Sequence, residues 1–273
     1  MNKDQAEKLS KDALDELAAT LESGRSERLT GYLAAMARFH NYSFGNVLLI
    51  VRQCPNAGRV AGFGAWKRLN RWVKKGEKGI GIIAPLVRRG EAGAEDENSI
   101  RGFRVVHVFD LAQTEGEPLP ELAAIAGDPG ESTQRLRQLI ASKGIELRYV
   151  EDLGGALGCS KGGAIEIVSN LSSAQEFEVL VHELAHESLH RRDTSDRIPP
   201  RDVRELEAEA VAYAVCQGIG LSARDSSTDY IGLYQGSKEL LLASLERIQR
   251  TAAEILSAVL HPSTLPDAEQ AAA

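Results

Sequence analysis

The chain has 273 residues, of which 43% are hydrophobic and 26% charged, as in ordinary soluble domains. No stretch approaches the about 18 consecutive apolar residues of a membrane span, and the charged amphipathic start is unlike a signal peptide, so we expect a cytoplasmic protein with no membrane partner. The net charge of -7 conceals a basic segment at residues 52–89, and the cysteines Cys54, Cys159 and Cys216 form no CxxC pair, which favours free thiols.

The first elements in the chain are predicted from apolar spacing. Residues recurring at three and four predict helices over about residues 9–21 and 27–40. From Tyr42 to Phe109, short apolar runs alternate with glycine and proline, which predicts strands and hairpins, with NVLLIV among the strands. The acidic stretch 90–99 is then an exposed hairpin tip between two of these strands.

A proline- and glycine-containing linker at residues 123–131 is predicted to separate two domains, 1–122 and 132–262. Beyond the linker we expect helices over about residues 132–144, 174–190, 201–217 and 238–260, with the strands IELRYV and AIEIV between the first two. Residues 263–273 are predicted to form a disordered tail. The predicted fold class is therefore α+β, in two domains.

Basic and aromatic residues are interleaved in the first domain. Residues 52–89 contain ten basic side chains and one acid, Glu77, and six aromatic residues lie between residues 39 and 72. Cations that follow phosphates and rings that stack on bases are typical of single-stranded nucleic acid binding, although the same rings would equally suit the core of a small domain. The candidate DNA-binding residues are Tyr42, Phe44, Arg59, Trp66, Lys67, Arg68, Arg71, Trp72, Lys74, Lys75 and Lys78.

An HExxH motif, from His182 to His186, lies in a predicted buried helix of the second domain. Spacing of four places both imidazoles one turn apart on one helix face, where they can ligate one Zn²⁺ ion; Mn²⁺ and Co²⁺ remain open. Glu183 then faces the reacting position as the candidate catalytic base for hydrolysing an amide. Two hydrogen-bonded histidines are the alternative interpretation, but a strand before the motif and acids after it favour a metal site.

Three alternating acids on the next predicted helix supply candidates for a third ligand. Glu205 and Glu209 share a helix face, whereas Glu207 points about 200° away from Glu205. We assign Glu205 as the third ligand and Glu209 as the carboxylate that accepts the N–H of a ligating histidine. The reverse assignment of Glu205 and Glu209 stays open, and Glu207 is the least favoured.

Further residues near the motif have weaker signals. His190, two turns after His182, is expected to pack or give polar support rather than to ligate. Tyr213 is a candidate to stabilise an oxyanion, although a core position is the commoner role for a tyrosine. The glycines at 154, 155, 162 and 163 would let an extended peptide approach a sheet edge, or would simply mark turns.

Several sequence blocks resemble the ArdC antirestriction proteins. YSFGNVLLI, RVAGFGAWKRLNRWVKKGEKGIGIIAP and FRVVHVFDLAQTEGEPLP are similar to the N-terminal single-stranded-DNA-binding domain of that family, over about residues 5–122. VLVHELAHESLH and RELEAEAVAYAV resemble its C-terminal zincin (gluzincin) metallopeptidase domain, which is related to the IrrE and ImmA metallopeptidases. In those relatives the third ligand maps onto Glu205, and Glu209 stands where they carry Asn or Asp.

The resemblance implies a single-stranded-DNA-binding antirestriction protein with a zinc-dependent metallopeptidase domain, acting in mobile-element or phage-defence evasion on an unknown protein or peptide. Two alternatives remain: a DNA-binding decoy whose metal site is structural or inactive, and a DNA-triggered regulatory protease that cleaves a repressor. The sequence does not define the substrate, the base specificity or the oligomeric state.

Overall fold

The computed structural model describes residues 2–25, 27–89, 98–118, 128–190, 199–221, 230–234 and 236–260. Residues 90–97 of the predicted hairpin tip 90–99, most of the predicted linker 123–131 and the predicted tail 263–273 lie outside these residues, whereas Asn98 and Ser99 of the predicted tip lie in a strand. The mixture of helices and strands confirms the predicted α+β class. Within the described residues, no helix is long and apolar enough to cross a membrane.

The described residues divide into two compact units. The first contains residues 2–16 and 44–118, and the second contains residues 17–43 and 128–260, each with the gaps given above. This division differs from the predicted domains because residues 17–43 group with the C-terminal part. Helix α2, Glu27–Arg38, buries its apolar face in the second unit, and Gln249 of that unit donates its side-chain N–H to the carbonyl of Tyr42 at 3.0 Å.

The first unit is built on antiparallel strands. Strands β3 and β4 form a hairpin, β1 pairs with the far side of β4, and β2 and β5 form a separate two-stranded sheet. Its elements are part of α1 (Lys3–Glu22), α3 (Phe44–Gln53), β1 (Val60–Gly62), α4 (Phe63–Arg68), β2 (Arg71–Val73), β3 (Ile80–Arg89), β4 (Asn98–Asp110) and β5 (Thr114–Gly116).

The prediction of a strand for the run NVLLIV is wrong, because these residues form most of helix α3. Two amides seven residues apart lie on one face of this helix and bind the edge of β3. Asn46 exchanges hydrogen bonds with the N–H and C=O of Ile83 at 2.9 and 2.8 Å, and Gln53 does the same with Gly81. The two side chains satisfy backbone groups that a neighbouring strand would otherwise pair, so the tertiary contact selects the helix.

The second unit is mainly helical and contains the predicted elements. Strands β6 and β8 are parallel, β7 pairs with β8 antiparallel, and β7 is therefore at the edge of the sheet. Its elements are α2, α5 (Glu131–Ser142), β6 (Glu146–Val150), β7 (Gly158–Ser160), β8 (Ala164–Val168), α6 (Ser173–Leu189), α7 (Arg201–Gly218) and α8 (Lys238–Val259), with a 3-10 turn at Tyr230–Leu233.

Helices α6 and α7 pack together and carry the motif residues. A capping box starts α6: Ser172 accepts a hydrogen bond from the N–H of Gln175, whose side chain accepts from the N–H of Ser172. Leu180, Val181 and Leu184 are fully buried, so the opposite face of α6 presents the histidines. This burial fixes the rotation of α6 about its axis and hence the direction of both imidazoles.

Candidate metal centre and nucleic-acid surface

Three nitrogen and oxygen atoms from α6 and α7 converge at one point. The Nε2 atoms of His182 and His186 are 3.1 Å apart, and Oε2 of Glu205 lies 3.7 and 3.4 Å from them respectively. The three side chains form a group that could hold a metal ion. The structure thus brings together the three residues that the sequence assigned as ligands.

The separations fit a tetrahedral divalent ion. Ligand atoms about 2.0–2.1 Å from zinc, at tetrahedral angles, are about 3.3 Å from one another, within the observed range of 3.1–3.7 Å. Burial, followed by the charge of His182, lowers the pKa of His186 to about 4, so its imidazole is neutral at pH 7, as metal ligation requires. Two imidazoles and a carboxylate suit Zn²⁺ and also Mn²⁺ or Co²⁺.

The carboxylate of Glu183 is held between α6 and the edge strand β7. Burial raises the pKa of Glu183, and the N–H of Ser160 hydrogen-bonds to this carboxylate and opposes that rise. Strand and helix are in close contact here: a Cβ added to Gly158 would lie 2.6 Å from Val179 and 2.8 Å from the Glu183 side chain. Gly158 is therefore needed for the approach that places Glu183 beside the ligands.

Glu187, which the sequence analysis did not select, fixes the turn between β7 and β8. Its buried carboxylate accepts hydrogen bonds from the N–H groups of Gly162 and Gly163, both at 2.7 Å, and from Oγ of Ser160 at 2.6 Å. Gly162 and Gly163 have φ of +72° and +111°, so these glycines serve the turn. The signal for Glu187 was its spacing of four from Glu183.

The two histidines have different outer partners. Nδ1 of His182 faces Oε2 of Glu209 at 3.6 Å, in line with the predicted outer role of Glu209. Nδ1 of His186 lies 3.2 Å from Nδ1 of His190, whose Nε2 is 2.9 Å from Oε2 of Glu207. Glu207 is not among the grouped ligand residues, as predicted from its direction away from Glu205; its fully buried carboxylate instead contacts His190, which contacts His186.

A cleft of about 1100 Å³ opens over these groups. It is lined by both ligating histidines and Glu205, by the edge strand β7, by apolar Leu157 and by the cations Arg201 and Arg204. Tyr213 is not among the lining residues; it is half-buried and burial raises its pKa. The oxyanion role of Tyr213 stays a prediction.

Three rings assigned to DNA binding lie in packed regions. Trp66 is fully buried and donates its indole N–H to the carbonyl of Phe109 at 2.9 Å, and Phe44 is 2% exposed. Tyr42 lies in the second unit, where burial raises its pKa to about 12. The assignments of Trp66 and Phe44 are corrected, because a ring without an accessible face cannot stack on a base; Tyr42 is half-buried, and its assignment stays a prediction.

The predicted DNA-binding cations differ in exposure and in the hydrogen bonds that they make within the protein. Arg71 donates to the side chain and carbonyl of Thr114 and to the carbonyls of Gly116 and Glu117, and Lys74 donates to the carbonyl of Ala112 at 2.9 Å. Arg59 is half-buried. The exposed side chains are Lys67, Arg68, Lys74, Lys75 and Lys78.

Exposed rings do occur in the first unit. Trp72 is 50% exposed, as predicted for a stacking residue, and Phe63 and Phe103 are 56% and 49% exposed although the sequence did not select them. Phe103 lies opposite Pro85 on the β3–β4 hairpin, and Phe63 opens α4 next to the exposed cations Lys67 and Arg68. The basic and aromatic surface of the first unit thus contains Trp72, Phe63, Phe103, Lys67, Arg68, Lys75 and Lys78.

Comparisons with known proteins agree with this architecture. Residues 4–109 match the family model of the N-terminal domain of anti-restriction factor ArdC. Two crystal structures of the antirestriction ArdC protein from plasmid R388, one metal-free and one Mn(II)-bound, are similar with TM-scores of 0.53 at 20% and 22% identity, covering 92% of this chain and 97% of theirs.

A curated relative extends the comparison to sequence. An uncharacterized protein of Bacillus anthracis is 25% identical over an alignment 275 positions long that covers 82% of this chain. This chain spans about half of that relative's length, 46%. Residues 4–109 thus match the ArdC N-terminal domain, and the fold of the chain is similar to that of the two ArdC crystal structures.

Proposed function

We propose that this chain is an antirestriction protein that binds single-stranded DNA through its first unit and hydrolyses peptide bonds at a divalent metal centre in its second unit. The observation that carries the proposal is the convergence of three ligand atoms at 3.1–3.7 Å beside the carboxylate of Glu183. The ArdC N-terminal domain match and the fold similarity support the antirestriction role. The Mn(II)-bound ArdC structure supports a divalent ion.

The metal would be held by His182, His186 and Glu205, and when bound it supplies Lewis-acid polarisation of the scissile carbonyl. Glu183 acts as the base: it takes a proton from the water that adds to the carbonyl carbon. When the C–N bond breaks, the same carboxyl group returns that proton to the departing amine nitrogen. The raised pKa of Glu183 suits a group that must both accept and donate a proton.

The edge strand β7 offers a backbone template for an extended peptide. Leu157 and Lys161 pair with β8, through Val168 N–H to Leu157 C=O at 3.0 Å and Lys161 N–H to Ala164 C=O at 2.8 Å. Alternate residues of an antiparallel strand point their backbone groups the other way, so those of Gly158 and Ser160 face away from β8. The N–H of Ser160 already donates to the Glu183 carboxylate, so a substrate strand would pair beside Glu183 through the backbone groups of Gly158 and the carbonyl of Ser160.

The basic and aromatic surface supports DNA binding by the first unit. Exposed lysines and arginines contact phosphates, and exposed rings stack on unpaired bases without needing a base sequence. Single strands are favoured over duplex because stacking requires splayed bases. The residues that support this assignment are Lys67, Arg68, Lys75 and Lys78, with Trp72, Phe63 and Phe103 as rings.

The two activities are tested together by protection of unmodified DNA entering a restricting host. Cells expressing the wild type, Glu183→Gln or no protein are compared, and the purified proteins are assayed on a pooled quenched-fluorescent peptide library with Zn²⁺ or Mn²⁺. We expect the wild type to protect and to cleave, and Glu183→Gln to bind metal without cleaving. Equal protection by both proteins would remove hydrolysis from the mechanism and leave the DNA-binding decoy.

A further inference from the structure

A hydrogen-bonded chain runs from the metal centre into the core of the second unit. We propose that His190, backed by Glu207, is the positioning residue that fixes the tautomer and ring orientation of His186 and thereby sets the affinity of the site for a divalent ion. The inference rests on the metal centre of the proposed function and assigns the residues that hold one of its ligands.

The contacts form a continuous path. Nδ1 of His186 lies 3.2 Å from Nδ1 of His190, and Nε2 of His190 lies 2.9 Å from Oε2 of Glu207. The other oxygen of Glu207 accepts from the guanidinium of Arg247, which also donates to Oγ of Ser244 at 3.2 Å. The path joins the end of α6 to α7 and α8.

Counting protons along this path gives each ring a single orientation. A neutral imidazole has one N–H and one lone pair. If Nε2 of His186 offers its lone pair to the metal, Nδ1 must carry the proton and donate it to Nδ1 of His190. That leaves the hydrogen of His190 on Nε2, where it donates to the carboxylate of Glu207. Every donor then meets an acceptor.

The burial of this path argues against a purely structural role. The side chains of His190 and Glu207 are 3% and 0% exposed. Removing the Glu207 carboxylate from water costs free energy that its attraction to Arg247, whose side chain is 32% exposed, roughly offsets, so this ion pair contributes little to stability compared with apolar packing. A carboxylate behind a ligating histidine, by contrast, orients the ring and raises its basicity. Here His190 extends that arrangement by one ring.

The other ligand provides a contrast within the same site. Nδ1 of His182 faces Glu209 at 3.6 Å, and that carboxylate is 36% exposed. Water competes for an exposed partner, so the contact holds His182 less rigidly than the buried path holds His186. Loss of His190 should therefore weaken metal binding more than loss of the Glu209 carboxylate.

The test measures Zn²⁺ affinity of the full chain by competition with a chromophoric chelator. His190→Leu removes the acceptor, His190→Asn retains one near Nδ1, and Glu209→Gln perturbs the exposed partner. Gln249→Leu is the matched control, since it removes another buried polar side chain of the same unit that does not line the cleft. We expect about 10–100-fold weaker binding for His190→Leu, partial recovery for His190→Asn, a smaller loss for Glu209→Gln and no change for the control.

A second readout does not depend on the variants folding. Long-range ¹H–¹⁵N spectra of the wild type report the histidine tautomers, and we expect the proton on Nδ1 of His186 and on Nε2 of His190. Equal affinity of folded His190→Leu and wild type, or the opposite tautomer of His186, would overturn the inference while leaving the metal centre in place. A wild type that binds no Zn²⁺ or Mn²⁺ would remove the proposed function as well.

Discussion

The metal centre and the basic surface of the first unit are built in different ways. The metal centre takes its groups from two packed helices, within 4 Å of one another and with hydrogen-bonded partners behind them. The basic surface collects exposed cations and rings from α4, the β2–β3 segment and β4. In the proposed function, the candidate metal centre is pre-organised for one ion, whereas the basic surface of the first unit suits a flexible ligand of variable sequence.

The largest expected effect is the loss of metal binding when one of the three ligand residues is removed. His186→Ala should abolish stoichiometric metal binding, an effect beyond the about 10–100-fold expected for an outer partner. Since metal binding couples to folding, the rise in Tm on adding Zn²⁺ should disappear as well. Elemental analysis and calorimetry measure both effects; His107→Ala, which changes an exposed histidine of the first unit, is the control. Full metal content in His186→Ala would refute the ligand assignment.

The variant Glu183→Gln distinguishes metal binding from catalysis. The amide keeps the size of the side chain but cannot take up a proton, so turnover should fall by about 10²–10⁴-fold with metal content unchanged. Cleavage of the peptide library, together with elemental analysis, gives both quantities. Turnover equal to that of the wild type would place the base elsewhere.

The two tryptophans sharpen the contrast between surface and core. Trp72→Ala should weaken binding to an oligo(dT) probe by about 1–3 kcal/mol with the fold intact, because it removes one stacking face. Trp66→Ala should instead destabilise the first unit by about 3–5 kcal/mol, because Trp66 fills its core with Ala61 and Ala65. Fluorescence anisotropy and denaturant unfolding distinguish the two effects. A binding loss confined to Trp66→Ala, with unchanged stability, would reverse these roles.

The smallest effect concerns single exposed cations. Lys75→Gln or Lys78→Gln should each reduce the salt dependence of single-stranded DNA binding by about 0.7 in the slope of log K against log salt. Lys143→Gln is the matched loss of one positive charge in the second unit and should leave the slope unchanged. Identical slopes for all three variants would show that phosphates do not contact this surface.

The sequence predicted the site best where the spacing of residues along a helix determines which side chains share a face. A spacing of four places His182 and His186, and likewise Glu205 and Glu209, on single helix faces without any knowledge of the fold. The same reasoning ranked Glu207 last as a ligand and assigned it no other role. Its contact with His190 depends on how α6, α7 and α8 pack, and no local spacing records that packing.

The sequence did not predict which aromatic side chains are exposed. Trp66 and Trp72 are both aromatic residues among cations, yet one is buried and the other half exposed. The difference arises because Val73, next to Trp72, packs with Trp66 and Phe109, which turns Trp72 outward on a strand of period two. Similarly, NVLLIV fits either a helix or a buried strand, and only the amide contacts with β3 decide between them.

The central claim is that His182, His186 and Glu205 hold one divalent ion, and anomalous diffraction from crystals soaked in Zn²⁺ tests it most directly. We expect a single strong peak per chain about 2.0–2.2 Å from Nε2 of each histidine and from a carboxylate oxygen of Glu205. A peak at other residues, or none at zinc concentrations that saturate binding in solution, would contradict it.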